Sequence, residues 1–135
     1  LRIKGYNKVI EEHGLQSNVL KLGNVENVEE EVFTYLKDHP KTDAVISIDH
    51  ITGIVAINMA KKLGRLVPED LSVIGFGYDK TPMLSSPRIS IIHQKALEIG
   101  QQAMKTLLDS FKSEDHQFMT LVIPSELKLG ESTIN

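Results

Sequence analysis

The chain has 135 residues, of which 41% are hydrophobic and 24% are charged, a balance typical of a globular domain with its own core. Its net charge of -3, with no cluster of Lys and Arg, provides no electrostatic surface for DNA. The chain has no cysteine for disulfides or thiolate metal sites, and no apolar run approaches the ~20 residues of a membrane span. The lack of cysteine suits the cytoplasm, where we expect the protein to act.

The first part of the chain predicts a helix, a strand and a second helix. Residues 2–13 carry apolar side chains on one helical face, and Gly14 is typical of the position just after a helix. Residues 18–22 predict a short strand, and residues 25–39 predict an amphipathic helix. No N-cap residue precedes the first helix and the chain does not begin with Met, so we expect it to be part of a longer protein.

The middle of the chain alternates strands and helices. The β-branched run at residues 44–48 predicts a strand buried on both faces, and residues 51–63 predict the helix that follows. Residues 72–76 predict another buried strand, which ends on glycine and polar residues. Ligands of open parallel sheets bind beyond the carboxyl ends of the strands, so residues 75–79 are the first place to look for a site.

The last part of the chain continues this pattern. Residues 89–93 predict a strand and residues 95–111 an amphipathic helix, followed by a last strand at residues 118–123 and a polar tail after residues 126–129. The alternation predicts the α/β class: a doubly wound parallel sheet with helices on both faces.

Two motifs carry a family resemblance. The stretch VPEDLSVIGF at residues 67–76, followed by ISIIHQKALEIGQQAMKTLLD at residues 89–109, resembles the effector-binding core of the lactose-repressor (LacI) type of transcriptional regulator. The matching positions occur in the family's order and spacing: Pro87, Ile89, Ile92, Gln94, Ile99, Gly100, Ala103, Leu107 and Leu108.

The resemblance implies a periplasmic-binding-protein-like core of two lobes that holds a small effector, expected to be a sugar. Residues 1–84 and 118–135 would form most of the second lobe, and residues 85–113 would cross into the first. The predicted helix at residues 95–111 would then lack its sheet and would pack on another chain or stay partly exposed. The resemblance also implies a homodimer, with expected contributions from residues 51–63 and 82–88, and a separate DNA-binding domain ahead of this chain.

Arg2 and Asp49 are candidate ligand-binding residues. Arg2 matches the arginine of the family motif R-x-x-G followed by an aromatic residue, which implies hydrogen bonds to effector oxygens; the alternative is an exposed helix arginine. Asp49 ends a predicted strand where the family usually has an acidic or Asn-Asp pair, but Ile48 replaces the first member. Asp49 can also cap the following helix, and we expect the cap to be its main role.

Two further positions, Gly77 and Val25, depart from the family pattern in addition to Ile48. Gly77 stands where most members have an aspartate that accepts hydrogen bonds from effector hydroxyls. Asp79 could replace that carboxylate from two positions further on, or Tyr78 could stack on a ligand ring. Val25 stands where relatives often place a stacking aromatic residue. Gln94 matches a glutamine at a lobe crossing, where it either faces the cleft or makes a hinge hydrogen bond.

Catalysis, metals and cofactors are not expected. The five histidines show no metal-binding spacing, and neither a nucleophile elbow nor a phosphate loop occurs. One alternative is an enzyme on the same kind of sheet that uses Asp49 and Asp79 as paired acids. A second is a periplasmic or lipoprotein sugar receptor, which a secretory signal ahead of Leu1 would distinguish from a regulator.

Overall fold

The computed structural model describes residues 2–23, 25–112 and 119–134, which form a small α/β unit. A 3-10 turn, Val25–Asn27, precedes the second α-helix, and another, Thr81–Leu84, follows the second strand. The helices and strands in chain order are α1 (Arg2–Glu12), α2 (Val28–Asp38), β1 (Ala44–Ser47), α3 (His50–Lys62), β2 (Ser72–Gly77), β3 (Ser90–His93), α4 (Ala96–Lys112) and β4 (Glu126–Lys128).

The four strands form one sheet in the order β1-β2-β3-β4. The first three strands are parallel, with Ala44 opposite Ser72 and Ile74 opposite Ser90, and β4 runs antiparallel to β3. The predicted α/β class with a parallel sheet is therefore confirmed. Because parallel strands place their carboxyl ends at one edge, residues 47–50, 77–79 and 93–94 come together there.

The core lies between the sheet and the helix pair α2 and α3. The predicted apolar positions of both helices face inward. Helix α3 is confirmed within one residue at each end, whereas α2 begins three residues later than predicted, because residues 25–27 form the 3-10 turn. The buried apolar side chains include Val32, Leu36, Ile57, Met59, Ala60, Leu71, Val73, Ile89 and Ile91. On this face Gly53 and Gly75 let α3 and β2 approach Ser47, because a Cβ at either position would lie 2.6 or 2.7 Å from its Oγ.

Strand β1 is not buried on both faces, contrary to the prediction. Ser47 is buried, whereas Ile46 is 58% exposed and the following Ile48 is 62% exposed. Side chains alternate between the two faces of a strand, and among the described elements only α3 packs on β1, so the face of Ile46 is uncovered. A β-branched run cannot by itself show whether both faces of a strand are covered.

Two other predicted strands are absent from the described residues. Residues 18–22 have no strand pairing; the Tyr6 hydroxyl contacts the backbone N–H and C=O of Asn18 at 3.0 and 3.3 Å instead. Residues 119–123 also lack strand pairing, while Phe118 lies outside the described residues. A strand is defined by its partner, and neither segment has a neighbouring strand in the described part of this chain.

Helix α4 is amphipathic, but none of the described residues packs against it closely enough to bury it. It buries none of its described residues; Leu97 is 77% exposed and Phe111 is 76% exposed. The apolar residues predicted for its core face, Met104, Leu107 and Leu108, are about half exposed. The expectation that this helix would remain exposed in the chain alone agrees with the structure. No described helix combines the length and apolarity needed to cross a membrane.

The tail after β4, expected only to be polar, closes the core. Ser132 is fully buried: its Oγ accepts from the Ser90 N–H at 2.9 Å, and its carbonyl accepts from the Val73 N–H at 2.7 Å. The Arg88 carbonyl accepts from the Glu131 N–H at 2.7 Å, and the two side chains form an ion pair at 3.0 Å. We name residues 130–133 the C-terminal clamp, because they tie β2 to β3.

Candidate functional site

A cavity of about 290 Å³ opens at the carboxyl ends of β1 and β2. This is the position that the sheet topology predicts for a ligand. It brings together five predicted site residues and three others: Arg2, Asp49, Gly77, Tyr78 and Gln94, with His50, Phe76 and Ala96. A larger groove of about 670 Å³ follows the uncovered face of α4.

Arg2 is held in place at one wall of this cavity. Its guanidinium carbon lies 4.1 Å from the centre of the Phe76 ring, and its Nη1 donates to the carbonyl of Ile48. The cation-π contact and the hydrogen bond together restrict the orientation of the guanidinium. Its other N–H groups donate no hydrogen bond to the described residues. Arg2 therefore lines the cavity, and its predicted hydrogen bonds to effector oxygens stay a prediction.

Asp49 caps α3, as expected. Its Oδ1 accepts from the Thr52 N–H at 2.8 Å, and the Thr52 hydroxyl lies 3.0 Å from Oδ1 and 2.9 Å from Oδ2. Asp49 also lines the cavity, so the capping and lining roles coexist. The Thr52 hydroxyl has a single proton for the two carboxylate oxygens, so Asp49 can still accept a further hydrogen bond.

We expect the substitution Asp49→Ala to lower the free energy of unfolding by about 1 kcal/mol, because the first turn of α3 loses its cap. Asp49→Asn should cost much less, since the amide oxygen can still accept from the Thr52 N–H. Thermal unfolding of the two variants measures the difference. Equal losses in both would show that the negative charge, and not the cap, is the stabilising element.

The side chain of Thr81 packs directly against the backbone of Gly77. A Cβ at position 77 would lie 2.8 Å from the Thr81 Oγ1 and 3.0 Å from its Cβ, and Thr81 is fully buried. The Thr81 hydroxyl also accepts from the Tyr78 N–H at 3.1 Å. The space that a family-type aspartate would need is therefore filled by Thr81, which explains the glycine in physical terms.

Tyr78 and His50 form an aromatic pair at the cavity. Their ring centres are 5.4 Å apart with planes at 78°, an edge-to-face arrangement, and Tyr78 is 46% exposed. Sequence reasoning did not select His50, although its place directly after a strand and a capping aspartate was a usable signal. Phe76 lies within residues 75–79, where a site was expected, but was not singled out; its position on the face opposite Gly75 and Gly77 follows from strand alternation.

Asp79 does not line this cavity, so the structure gives no support to its predicted ligand role. Its Oδ1 lies 2.7 Å from the Lys128 Nζ and 3.2 Å from the His93 Nε2. The hydrogen bond and the charge of Lys128 lower the pKa of the Asp79 carboxyl, with a smaller contribution from His93. This cluster connects the end of β2 to β3 and β4.

Because the pKa of Asp79 is lowered in the folded state, the pair stabilises the fold above the ordinary aspartate pKa. That stability is lost as the pH falls through the lowered pKa. We expect Lys128→Gln to raise the pKa of Asp79 towards its ordinary value, measured by NMR titration of the carboxyl carbon. Lys80→Gln removes an exposed lysine next to Asp79 and is the control. An unchanged pKa in the Lys128 variant would contradict the assignment.

Two predicted site residues remain, Gln94 and Val25. Gln94 lines the cavity directly after β3, so a cleft-facing and a hinge role both fit its position. The side chain of Val25 lies outside the described residues, and its predicted ligand contact stays a prediction. Among the described residues, no group of three or more His, Asp or Glu side chains could hold a metal ion.

Comparison with known proteins gives a consistent result. A model of the periplasmic binding protein-like domain matches residues 1–133. The HTH-type transcriptional repressor PurR of Aliivibrio fischeri is 28% identical over 100 residues, covering 74% of this chain and 30% of the repressor. The HTH-type transcriptional regulator DegA of Bacillus subtilis is 28% identical over 136 residues, covering 98% of this chain and 40% of the regulator. The chain thus spans less than half the length of these relatives.

Solved structures show the same fold. A complex of the transcriptional regulator CelR with cellobiose superimposes with a TM-score of 0.85 at 23% identity, covering 97% of this chain and 41% of that one. A LacI family transcriptional regulator from Arthrobacter sp. FB24 in complex with lactose gives 0.86 at 24% identity, covering 97% and 50%.

Proposed function

Since the chain belongs to the periplasmic binding protein-like domain family, we propose that it is the effector-binding and dimerisation core of a LacI-type transcriptional regulator. The observation that carries the proposal is the cavity at the carboxyl ends of β1 and β2, lined by Arg2, Tyr78 and Gln94. It joins a guanidinium, a phenol and an amide on one wall, which suits a small oxygen-rich ligand.

The proposed effector is a sugar or a related metabolite. Cellobiose and lactose are bound in two structures of the same fold, and the cavity here lies where the topology of such sheets places a ligand. The aromatic pair of His50 and Tyr78 would contact the apolar face of a sugar ring. Arg2 and Gln94 would donate to its oxygens.

The proposed division into lobes keeps residues 1–84 and 118–135 in the second lobe and assigns residues 85–113 to a crossing segment. The exposed apolar face of α4 supports this division, because a helix with this pattern needs a partner surface. In the intact protein that surface would be the first lobe, supplied by residues outside this chain.

Control of DNA binding would act through the arrangement of the two lobes. An effector that contacts both lobes binds one arrangement more tightly and shifts the population towards it. The extent of the shift is limited by the difference between its affinities for the two states. The DNA contact would be made by a helix-turn-helix domain outside this chain, and we propose that the protein acts in the cytoplasm.

A second copy of the chain is proposed as partner. The 3-10 turn after β2 exposes Met83 (80%) and Leu84 (57%), and Ile51 at the start of α3 is 60% exposed. The Lys61 Nζ donates to the Ser86 carbonyl, so the C-terminal end of α3 lies beside this loop. The exposed apolar side chains of the two segments would contribute to the proposed dimer interface.

The test uses the intact protein and its own promoter DNA. Operator binding is measured by fluorescence anisotropy with and without each member of a sugar library, and the mass of the free protein by sedimentation. We expect a dimer whose operator affinity changes with at least one compound that also binds the core. A compound that binds without changing operator affinity, or a protein that binds no promoter DNA, would favour the sugar receptor.

A further inference from the structure

Lys95 has a backbone conformation that lysine rarely adopts. Its φ is +51°, and it is the only described residue other than glycine whose φ is positive. In this left-handed region the Cβ comes too close to the following carbonyl oxygen, a steric cost that glycine avoids. The other described residues with positive φ, Gly14 and Gly64, are glycines just after helices α1 and α3. Lys95 therefore carries backbone strain in the present arrangement.

The strained residue stands at the junction of β3 and α4. Strand β3 ends at His93 and α4 begins at Ala96. The Lys95 carbonyl accepts from the Ile99 N–H at 3.0 Å, so Lys95 occupies the N-cap position of α4. The residues favoured at this position carry a side-chain oxygen, which lysine lacks. Neither the backbone conformation nor the side chain of Lys95 therefore stabilises the start of this helix.

The direction of α4 relative to the sheet is set chiefly by the backbone of residues 94 and 95. The helix buries none of its described residues, and no other described element packs extensively against it. A change of φ at Lys95 from positive to negative would therefore turn α4, together with whatever covers its apolar face. Because Lys95 lies at the start of the proposed crossing segment, such a turn would move one lobe relative to the other.

We propose that Lys95 is a strained hinge, which biases the protein away from the present arrangement of α4 when no effector is bound. Gln94 and Ala96 flank Lys95 and both line the cavity, so an effector would contact residues on each side of the strained one. Relaxation of Lys95 would move Ala96 relative to Gln94, whereas a bound effector would hold both and offset the strain. The inference rests on the proposed function, because it assigns a regulatory element to the same ligand site.

The test compares three substitutions of Lys95 in the intact protein without effector. Lys95→Gly removes the strain, whereas Lys95→Ala removes the same side chain but keeps the Cβ, and is the matched control. Lys95→Pro fixes φ at about −65° and so excludes the present conformation. The Lys95 N–H donates no backbone hydrogen bond in the described part of the chain, so proline removes none there.

The measurement is the distance between two spin labels by pulsed electron paramagnetic resonance. The labels are carried by Lys41→Cys, just before β1, and by Thr106→Cys, which lies on α4 outside its groove. The protein has no other cysteine, and labelled subunits are diluted with unlabelled ones, so that only distances within one chain are recorded.

We expect Lys95→Ala to give the distances of the unsubstituted protein. Lys95→Gly should raise the ratio of the present arrangement to the other about fivefold or more over that in Lys95→Ala. Lys95→Pro should leave only the other arrangement.

Two results overturn the inference. If Lys95→Gly and Lys95→Ala give the same distances, the strain does not act on the direction of α4. If Lys95→Pro keeps the distance of the present arrangement, φ at this position does not set that direction. Neither result contradicts the proposed regulator, because the measurement uses no sugar and no DNA, and operator binding decides that question separately.

Discussion

Gly130→Ala should lower the free energy of unfolding of this lobe by about 3 kcal/mol. A Cβ at position 130 would lie 2.3 Å from the Arg88 carbonyl oxygen and 2.7 Å from that of Ile89. Both atoms belong to the backbone, which cannot move aside as a flexible side chain can, so the cost lies at the upper end of that for overpacking. A backbone movement that relieves this clash would also break the hydrogen bond that the Gly130 N–H donates to the Ser90 Oγ at 2.9 Å.

Hydrogen exchange of the Val73 and Ser90 amides measures this loss, because both donate to Ser132 in the C-terminal clamp. Gly100→Ala is the matched control. Nothing lies within 4 Å of a Cβ at position 100, which is inside α4, so alanine there should stabilise the helix by about 1 kcal/mol. Unchanged protection of Val73 and Ser90 in Gly130→Ala would mean that the backbone around Arg88 adapts.

Gly77→Ala should lower the free energy of unfolding by about 2 kcal/mol, because the new Cβ meets Thr81 at 2.8 to 3.1 Å. Gly77→Asp should cost more, since it adds a carboxyl group to the same filled space. Restoring the aspartate of the family pattern is therefore expected to damage this protein and not to improve sugar binding. Thermal unfolding of both variants, with sugar titrations of each, checks the two statements.

A double-mutant cycle isolates the contact. In a Thr81→Gly background the opposing atoms are gone, and Gly77→Ala should then cost less than about 0.5 kcal/mol. Thr81→Gly alone is destabilising, because it leaves the Tyr78 N–H without its acceptor. An equal cost of Gly77→Ala in both backgrounds would place the strain elsewhere, and Thr81 would not account for the glycine.

The strands and helices of the core could be predicted because local pattern and tertiary environment agree there. Helices α2 and α3 have an apolar stripe that the sheet covers, and β2 and β3 have neighbours on both sides. The predictions failed where the partner of a segment decides its structure. Residues 18–22 and 119–123 have β-type composition but no strand beside them in the described chain, and the exposed face of β1 has the same origin.

The candidate site was predictable in position but not in detail. Arg2, Tyr78 and Gln94 were found because topology gathers strand ends and the resemblance selected residues there. The pairing of Asp79 with Lys128 could not be found, since the two residues are 49 positions apart and lie on strand ends joined only by the fold. The contact of His50 with Tyr78 could not be predicted because only the fold brings the two rings together; the place of His50 after a capping aspartate was its one local signal.

The C-terminal clamp also fixes the moment at which the sheet can be completed during synthesis. Ser132 bonds Val73 across 59 positions of sequence. A ribosome that adds about 5–20 residues per second needs roughly 3 to 12 s to cover that distance. During this interval β2 has left the exit tunnel before the residues that tie it to β3, and the edge of β3 that β4 later covers is open to pairing with other chains. Slower translation of the last 60 or so codons would lengthen this interval and increase aggregation of the nascent protein.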